Sequence, residues 1–475
     1  TQGRILLIIS MILRVLAMNL QGLFSENNNL KRGCNKRIMN SENLDIRKRV
    51  IGRERINWFV WYTVLALLLV LNGLGNSVIN TLTIFVYFFL ILTAARNTEI
   101  YLIPLTSIFL GYTNLKFNLL LGVEFDVSTL ANLIFFCILI KQILFYKCFS
   151  YKRNGFIIYL VLVAYCATNI LITNKISQTI WFVCKALIMY QAISVIDNGE
   201  SEGAKEYTFS MFIAVVAEIF YGIFFPQITE EMGWRASQFG GVFDPNNFAL
   251  DCLVLFCLTQ MICKDSFPKW FRILTIVITI CGVFASVSFT GLCGLIVLLI
   301  ILMFKNIDGR KCIYIILGLI VFLFLINLVD LSTVFSWMRG SKITALKALE
   351  ERLSIMLYEY NLGDFNGLTS GRANLWNIYF EHFNNSSTTL KIFGNQQSLS
   401  GLIKLFGKAS HNFYLDFLIG YGVLGIILLA VYQIYESLIF LHDKRYARVV
   451  IKILFLGMLY SRTVGVANFL LMTSL

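Results

Sequence analysis

The sequence predicts an all-α polytopic membrane protein, about 13–14 transmembrane helices with a long helical outer loop, and three observations predict it. Of its 475 residues, 57% are hydrophobic and only 14% charged, where soluble domains carry about 25% charged residues; mean hydropathy is +0.73. The apolar residues come in serial runs near the length that crosses a bilayer. The basic residues collect in short segments between those runs, the arrangement that orients spans. A net charge of +13 distributed in this way excludes nucleic acid as the partner and points to membrane lipids. The eleven cysteines lie between Cys34 and Cys312 without metal-ligand or paired spacing, so they read as small buried hydrophobes, and no metal site or disulfide framework is expected.

Taken in order, the chain begins at Thr1 rather than Met, and its natural start is expected upstream. Ile5 to Leu20 reads as a first span. Residues 1–57 end in a basic segment with Lys31, Arg32, Lys36, Arg37, Arg47, Lys48, Arg49, Arg53 and Arg55, placed in the cytoplasm by the positive-inside rule. Apolar runs follow near 58–75, 77–95, 100–113, 127–147, 156–173, 178–197, 207–226, 247–263, 269–288, 290–304, 312–329, 412–440 and 449–470. If each run spans once, Lys152 and Arg153, then Lys264, Lys269 and Arg272, then Lys305, Arg310 and Lys311, and finally Lys444, Arg445 and Arg448 share one side. That side is the cytoplasm. The chain then divides into 1–57, N-terminal spans 58–226, central spans 227–329, an extracytoplasmic helical loop 330–411 and C-terminal spans 412–475.

The outward segments hold the chemistry. In WRASQFGGVFDPNNFALD, Arg235 precedes Gly240 and Gly241, and Asp244, Pro245, Asn246 and Asn247 form a turn and cap into the next span. Ser286, Ser288, Thr290 and Gly291 mark a tight turn between spans, read as close packing through small residues. In the long loop, Ile343, Leu346, Leu349, Leu353, Met356, Leu357 and Tyr360 make a helical stripe, with Arg352 among the charged residues off it. Thr369, Ser370 and Gly371 are turn and cap residues, and Leu375, Trp376, Tyr379, Phe380 and Phe383 recur at helical spacing. Arg372 therefore falls in the first turn of a helix, where a cation opposes the dipole and an anion would join the free backbone N–H groups. A solvated surface Arg is the plainer alternative. Glu218 and Asp251 lie in or near spans, where a charge costs about 2.5–3.5 kcal/mol at the membrane centre; each is functional or paired with a basic neighbour. His411 is one of three histidines and stands where the loop returns to the membrane, beside Asn412.

Arg235 followed by GGVFDPNNFA, the Ser288-Phe-Thr-Gly turn, and a long loop with SGRANLW, KIFGNQ and HNFYLDFLIGYGVLG together resemble the O-antigen polymerase and O-antigen ligase superfamily, with the Wzy-type polymerases as one branch. The resemblance covers roughly residues 205–445. Phe289 departs from it, standing where the family often has a basic residue. It implies inverting, metal-independent, cofactor-free glycosyl transfer at the outer face of the bacterial plasma membrane, from a glycan carried on undecaprenyl pyrophosphate. A pyrophosphate leaving group calls for bidentate guanidinium groups, and Arg235 and Arg372 are the candidates; an acceptor hydroxyl calls for a base, and His411 is the candidate. An interfacial structural histidine is the alternative for His411. Arg352, Asn246, Asn412, Ser370, Gly371 and Trp376 are the candidate substrate contacts. A chain-length regulator and a flippase are the expected partners. Polymerase, glycan ligase and lipid-linked oligosaccharide flippase or anion transporter are the three functions that the sequence leaves standing.

Overall fold

The computed structural model describes residues 58–94, 98–109, 116–118, 124–144, 155–172, 176–197, 201–225, 245–286, 288–303, 317–318, 331–341, 344–368, 371–395, 399–408 and 410–461. Among them the only departure from helix, turn and loop is a small antiparallel ribbon, β1 (Lys116–Asn118) with β2 (Glu124–Asp126), in which Phe117 faces Phe125. The fold is otherwise the helical one that the apolar runs predict. The first predicted run, most of 312–329 and the end of the last run lie outside the described residues.

The first helices are α1 (Trp58–Leu74), α2 (Ser77–Thr93), α3 (Thr98–Phe109), α4 (Val127–Leu144), α5 (Phe156–Ile172), α6 (Ile176–Asp197) and α7 (Glu202–Phe224). Local chemistry sets their ends. Asn76 caps α2 by accepting from the amides of Val78 and Ile79 at 2.9 and 3.4 Å, and Lys141 of α4 closes its other end by donating to the carbonyls of Ile91 and, at 2.8 Å, Ala94. Helix α7 starts five residues before its apolar run because Ser201 accepts from the Ala204 amide at 3.1 Å and Glu202 suits the first turn.

The central helices are α8 (Pro245–Cys257), which continues through a π turn over Leu258–Ile262, α9 (Lys269–Ala285) and α10 (Phe289–Met303). In the π turn, Gln260 Nε2 donates to the Arg272 carbonyl at 2.9 Å and to Thr275 Oγ1 at 3.0 Å, so the altered helix path is satisfied by its neighbour. The loop region folds as α11 (Leu331–Gly340), α12 (Thr344–Leu362), α13 (Phe365–Leu368), α14 (Arg372–Asn385), α15 (Thr388–Phe393) and α16 (Leu399–Phe406). The chain ends with α17 (Phe413–His442) and α18 (Tyr446–Met458). Among the described residues α6, α7 and α17 are each long and apolar enough to cross a membrane, and the other apolar helices are shorter. This is a membrane protein.

Two ends of the bundle differ in chemistry. At the basic end, Arg445 Nη1 and Arg448 Nη1 donate to Asp197 Oδ1 at 2.8 and 2.9 Å, with both guanidinium groups near the Phe440 ring. This clasp ties the close of α6 to the start of α18, and Lys264, Lys269 and Arg272 lie in and beside the turn between α8 and α9. The opposite end carries α11–α16 and is called the loop end here. A small core of Tyr379, Leu402, Leu415 and Ile419 roots α14 and α16 on the first turns of α17.

Helix α17 is 30 residues long and broken at Gly422, which has φ 68° and ψ −175°. The twenty residues from Val423 to His442 measure about 30 Å, the thickness of a hydrocarbon core. Residues 413–421 form a stub before the break, and α14, α15 and α16 pack around it.

Candidate functional site

Four helices of this bundle start at the loop end: α8 at Pro245, α10 at Phe289, α14 at Arg372 and α17 at Phe413. Their shared level follows from contacts. Ser288 Oγ donates to Asn246 Oδ1 at 2.5 Å and accepts from the Gly291 amide at 3.0 Å, which joins the starts of α8 and α10. A Cβ on Gly291 would meet that of Ala249 at 2.5 Å, so the turn packs through small residues as the sequence predicts. The end of α18 links this turn to the others: Met458 lies against Gly294, the Leu456 carbonyl accepts from the Tyr414 hydroxyl at 2.7 Å, and Tyr460 packs edge-on against Trp376. Each helix start presents the positive end of a dipole, while first-turn amides of three of them are taken by Ser288, Asn366 and Asn412 side chains.

Arg372 is the first residue of α14, half-buried, with Gly371 as N-cap in the left-handed region at φ 80°. Two hydrogen bonds fix how the returning chain runs along this helix. The Tyr379 hydroxyl donates to the Lys408 carbonyl at 2.9 Å, and Trp376 Nε1 donates to the Ser410 carbonyl at 2.8 Å. The returning chain thus runs antiparallel to α14, and His411 follows in the direction of the first turn, which Arg372 opens. Burial and the negative charge of Asp416 push the Tyr379 phenol above its ordinary pKa, so it stays protonated and keeps donating.

The corner itself is tightly built. His411 is exposed and has φ 53°, one of two non-glycine residues with positive φ among the described residues, a conformation held by its neighbours. Ser410 Oγ accepts from the Asn412 amide and donates to the Asn412 carbonyl, both at 2.9 Å. Asn412 is the N-cap of α17; its Oδ1 accepts from the Leu415 amide at 3.2 Å, and the residue is 6% exposed. Its side chain is therefore committed to holding the corner, with His411 projecting from it.

The structure opens α14 with Gly371 and Arg372, ties Trp376 to the chain just before His411 and Asn412, and sets Asn246 in the turn that joins α8 and α10. Arg352 lies on α12 of the loop region. Arg235 and Ser370 lie outside the described residues. His382 is drawn into the frame: Asn395 Nδ2 lies 2.7 Å from its Nε2, and its ring meets Phe406 edge-on. Sequence reasoning passed over two kinds of residue here. Asp416, buried in the first turn of α17, is visible only as a charge in an apolar run. Gly394 and Gly422 are visible as the glycines of KIFGNQ and IGYG, yet their meeting across the fold is not.

With this geometry in hand, the comparisons add one finding. Residues 274–430, about a third of the chain, match the family model described as O-antigen ligase. The match runs from α9 into α17 and so takes in Arg372 and His411, while Arg235 and Asn246 precede it. No curated protein and no solved structure matches the chain. The stretch 274–430 is thus similar to the family described as O-antigen ligase, in keeping with the resemblance of its motifs.

Proposed function

We propose that the protein polymerises undecaprenyl-pyrophosphate-linked oligosaccharide repeat units into a surface polysaccharide, O-antigen or capsule, by inverting, metal-independent glycosyl transfer. The basic end faces the cytoplasm and the loop end faces outward from the bacterial plasma membrane. The observation that supports the reading is the path of the returning chain, held along α14 by the Tyr379 and Trp376 hydrogen bonds, which leads His411 toward the end of the helix that Arg372 opens.

The chemistry is built on those two residues. The pyrophosphate of the donor sits against the Arg372 guanidinium and the positive ends of the adjacent helix dipoles, which balance the negative charge that grows as the glycosidic C–O bond breaks. The acceptor hydroxyl attacks the anomeric carbon from the opposite face, inverting it, and gives its proton to the His411 imidazole. The bonding pair leaves with the phosphate oxygen, so undecaprenyl pyrophosphate is released and no metal is consumed or needed in the balance. Arg235 supplies a second guanidinium in this reading, and Arg352 and Ser370 contact the substrate. A flippase supplies the lipid-linked units, and a chain-length regulator works beside the enzyme.

The description of the matching family favours a second reading, transfer of a finished glycan to lipid A core, protein or wall polymer. A deletion strain separates the two. Surface glycan run on a gel shows single repeat units on their acceptor if the chain is the polymerase, and unattached polymer if it is the ligase. Accumulation of repeat units on the cytoplasmic leaflet would make it a flippase and overturn both.

A further inference from the structure

We propose that Tyr165 is a positioning residue for the His411 corner, acting through the break in α17; the inference rests on the glycosyl-transfer reading. In an unbroken helix each carbonyl accepts from the amide four residues on, and Gly422, at φ 68° and ψ −175°, ends that pattern in the middle of α17. The carbonyls just before it would be stranded among buried apolar side chains, where unpaired backbone is costly. Two donors from elsewhere take them. The Asn395 amide donates to the Ile419 carbonyl at 2.8 Å, and the Tyr165 hydroxyl of α5 donates to the Tyr421 carbonyl at 2.7 Å, with the Phe393 carbonyl 3.4 Å from the same oxygen.

The joint closes only because side chains are missing. Gly394 and Gly422 both have positive φ; a Cβ on Gly394 would run into the Gly420 carbonyl, and one on Gly422 into that of Ile392. Tyr165 thus bridges the break and the end of α15: its hydroxyl donates to the Tyr421 carbonyl and lies beside that of Phe393. The stub of residues 413–421 is pinned at its start by Ser410 and Asn412 and at its far end by this hydroxyl and the Asn395 amide. Tilting the stub about the break moves His411 against Arg372, and a misplacement of about 1 Å at a reacting group costs up to about 100-fold in rate.

The test compares two variants that each remove one tyrosine hydroxyl from α5. Tyr159 donates to the Ala186 carbonyl at 2.6 Å, away from the break. Tyr165→Phe and Tyr159→Phe are purified, matched for folded protein by size exclusion and thermal melting, and assayed with undecaprenyl-pyrophosphate-linked glycan extracted from the deletion strain. Positioning predicts that Tyr165→Phe loses about tenfold in kcat with KM for the lipid-linked glycan within about twofold, while Tyr159→Phe stays within about twofold in both. Equal kcat in the two variants, with Arg372→Ala inactive in the same assay, overturns the positioning role and leaves the glycosyl-transfer reading intact. Wild-type turnover by Arg372→Ala as well would overturn that reading together with the inference built on it.

Discussion

Arg372 opens a helix with a positive charge at the positive end of the dipole, and it does so half-buried, so its cost is repaid where an anion shares the place. If it clamps pyrophosphate, Arg372→Ala loses about 2.7–4 kcal/mol of transition-state stabilisation, the scale for one preorganised donor. Arg372→Lys keeps the charge but not the planar fork and recovers only part of the rate. Exposed Lys404 and Lys408 serve as controls whose replacement stays mild; an Arg372→Ala enzyme within about twofold of wild type would sink the clamp, because that loss is far below a preorganised donor's. For His411, the expected effect of Ala is a loss of about 10²–10⁴ in polymerisation at unchanged expression, the range for general base catalysis. Full polymer at wild-type enzyme level would leave His411 a structural residue. The candidate site was legible at this scale to the extent that its residues are marked by type: Arg after a cap, and a rare His beside Asn. Asn412 shows the limit, since a side chain that caps a helix and one that binds a sugar have the same sequence signature until its partner, the Leu415 amide, is known.

Helices were read from apolar runs where packing and periodicity agree, as for the run at 178–197 and α6 at Ile176–Asp197. The break in α17 was not, because a glycine in an apolar run is compatible with an unbroken helix, and only Gly394 arriving from the loop makes the interruption fit. This gives a sharp contrast among glycines. Gly422→Ala and Gly394→Ala each face both positive φ and a backbone carbonyl in the way, and their melting temperatures should fall well below wild type. Gly457, inside α18 with nothing near its absent Cβ, should tolerate Ala or gain about 0.5–1 kcal/mol, the usual advantage of Ala over Gly in a helix. A melt in which Gly394→Ala and Gly457→Ala coincide would deny the close approach. The α11–α12 pair carries a pH dependence of its own. Arg339 Nη2 lies 2.5 Å from Glu350 Oε1, and this hydrogen bond, with a second from Ser354 at 2.9 Å, holds the Glu350 carboxyl below its ordinary pKa. A depressed pKa contributes stability that is complete above the unfolded value, about 4.3, and is lost as pH falls through the folded one. Amide exchange in α11 and α12, corrected for intrinsic rates, should therefore quicken between pH 5 and pH 3 relative to α6. Glu350→Gln should exchange alike at both.

Over the whole molecule, the alternation of basic and hydroxyl-rich turns already divides the chain into two ends, and the structure collects Asn246, Ser288, Trp376 and Asn412 at one and Asp197, Arg445 and Arg448 at the other. Assigned by the positive-inside rule, these ends predict labelling. In a cysteine-free background, Glu381→Cys should react with an impermeant maleimide in intact cells, and Asp265→Cys only after the membrane is opened; the reverse pattern would turn the site toward the cytoplasm. The stub of α17 extends this to the bilayer itself. Residues 423–442 are by themselves long enough to match the hydrocarbon, so a change in acyl-chain length is expected to be taken up as tilt of the helix below Gly422. The corner above the break then rides on α14–α16 as one body. Enzyme moved from short-chain to long-chain vesicles should keep its turnover while the tilt of that lower segment changes, making the reaction indifferent to membrane thickness across a range in which a site at the bilayer midplane would not be.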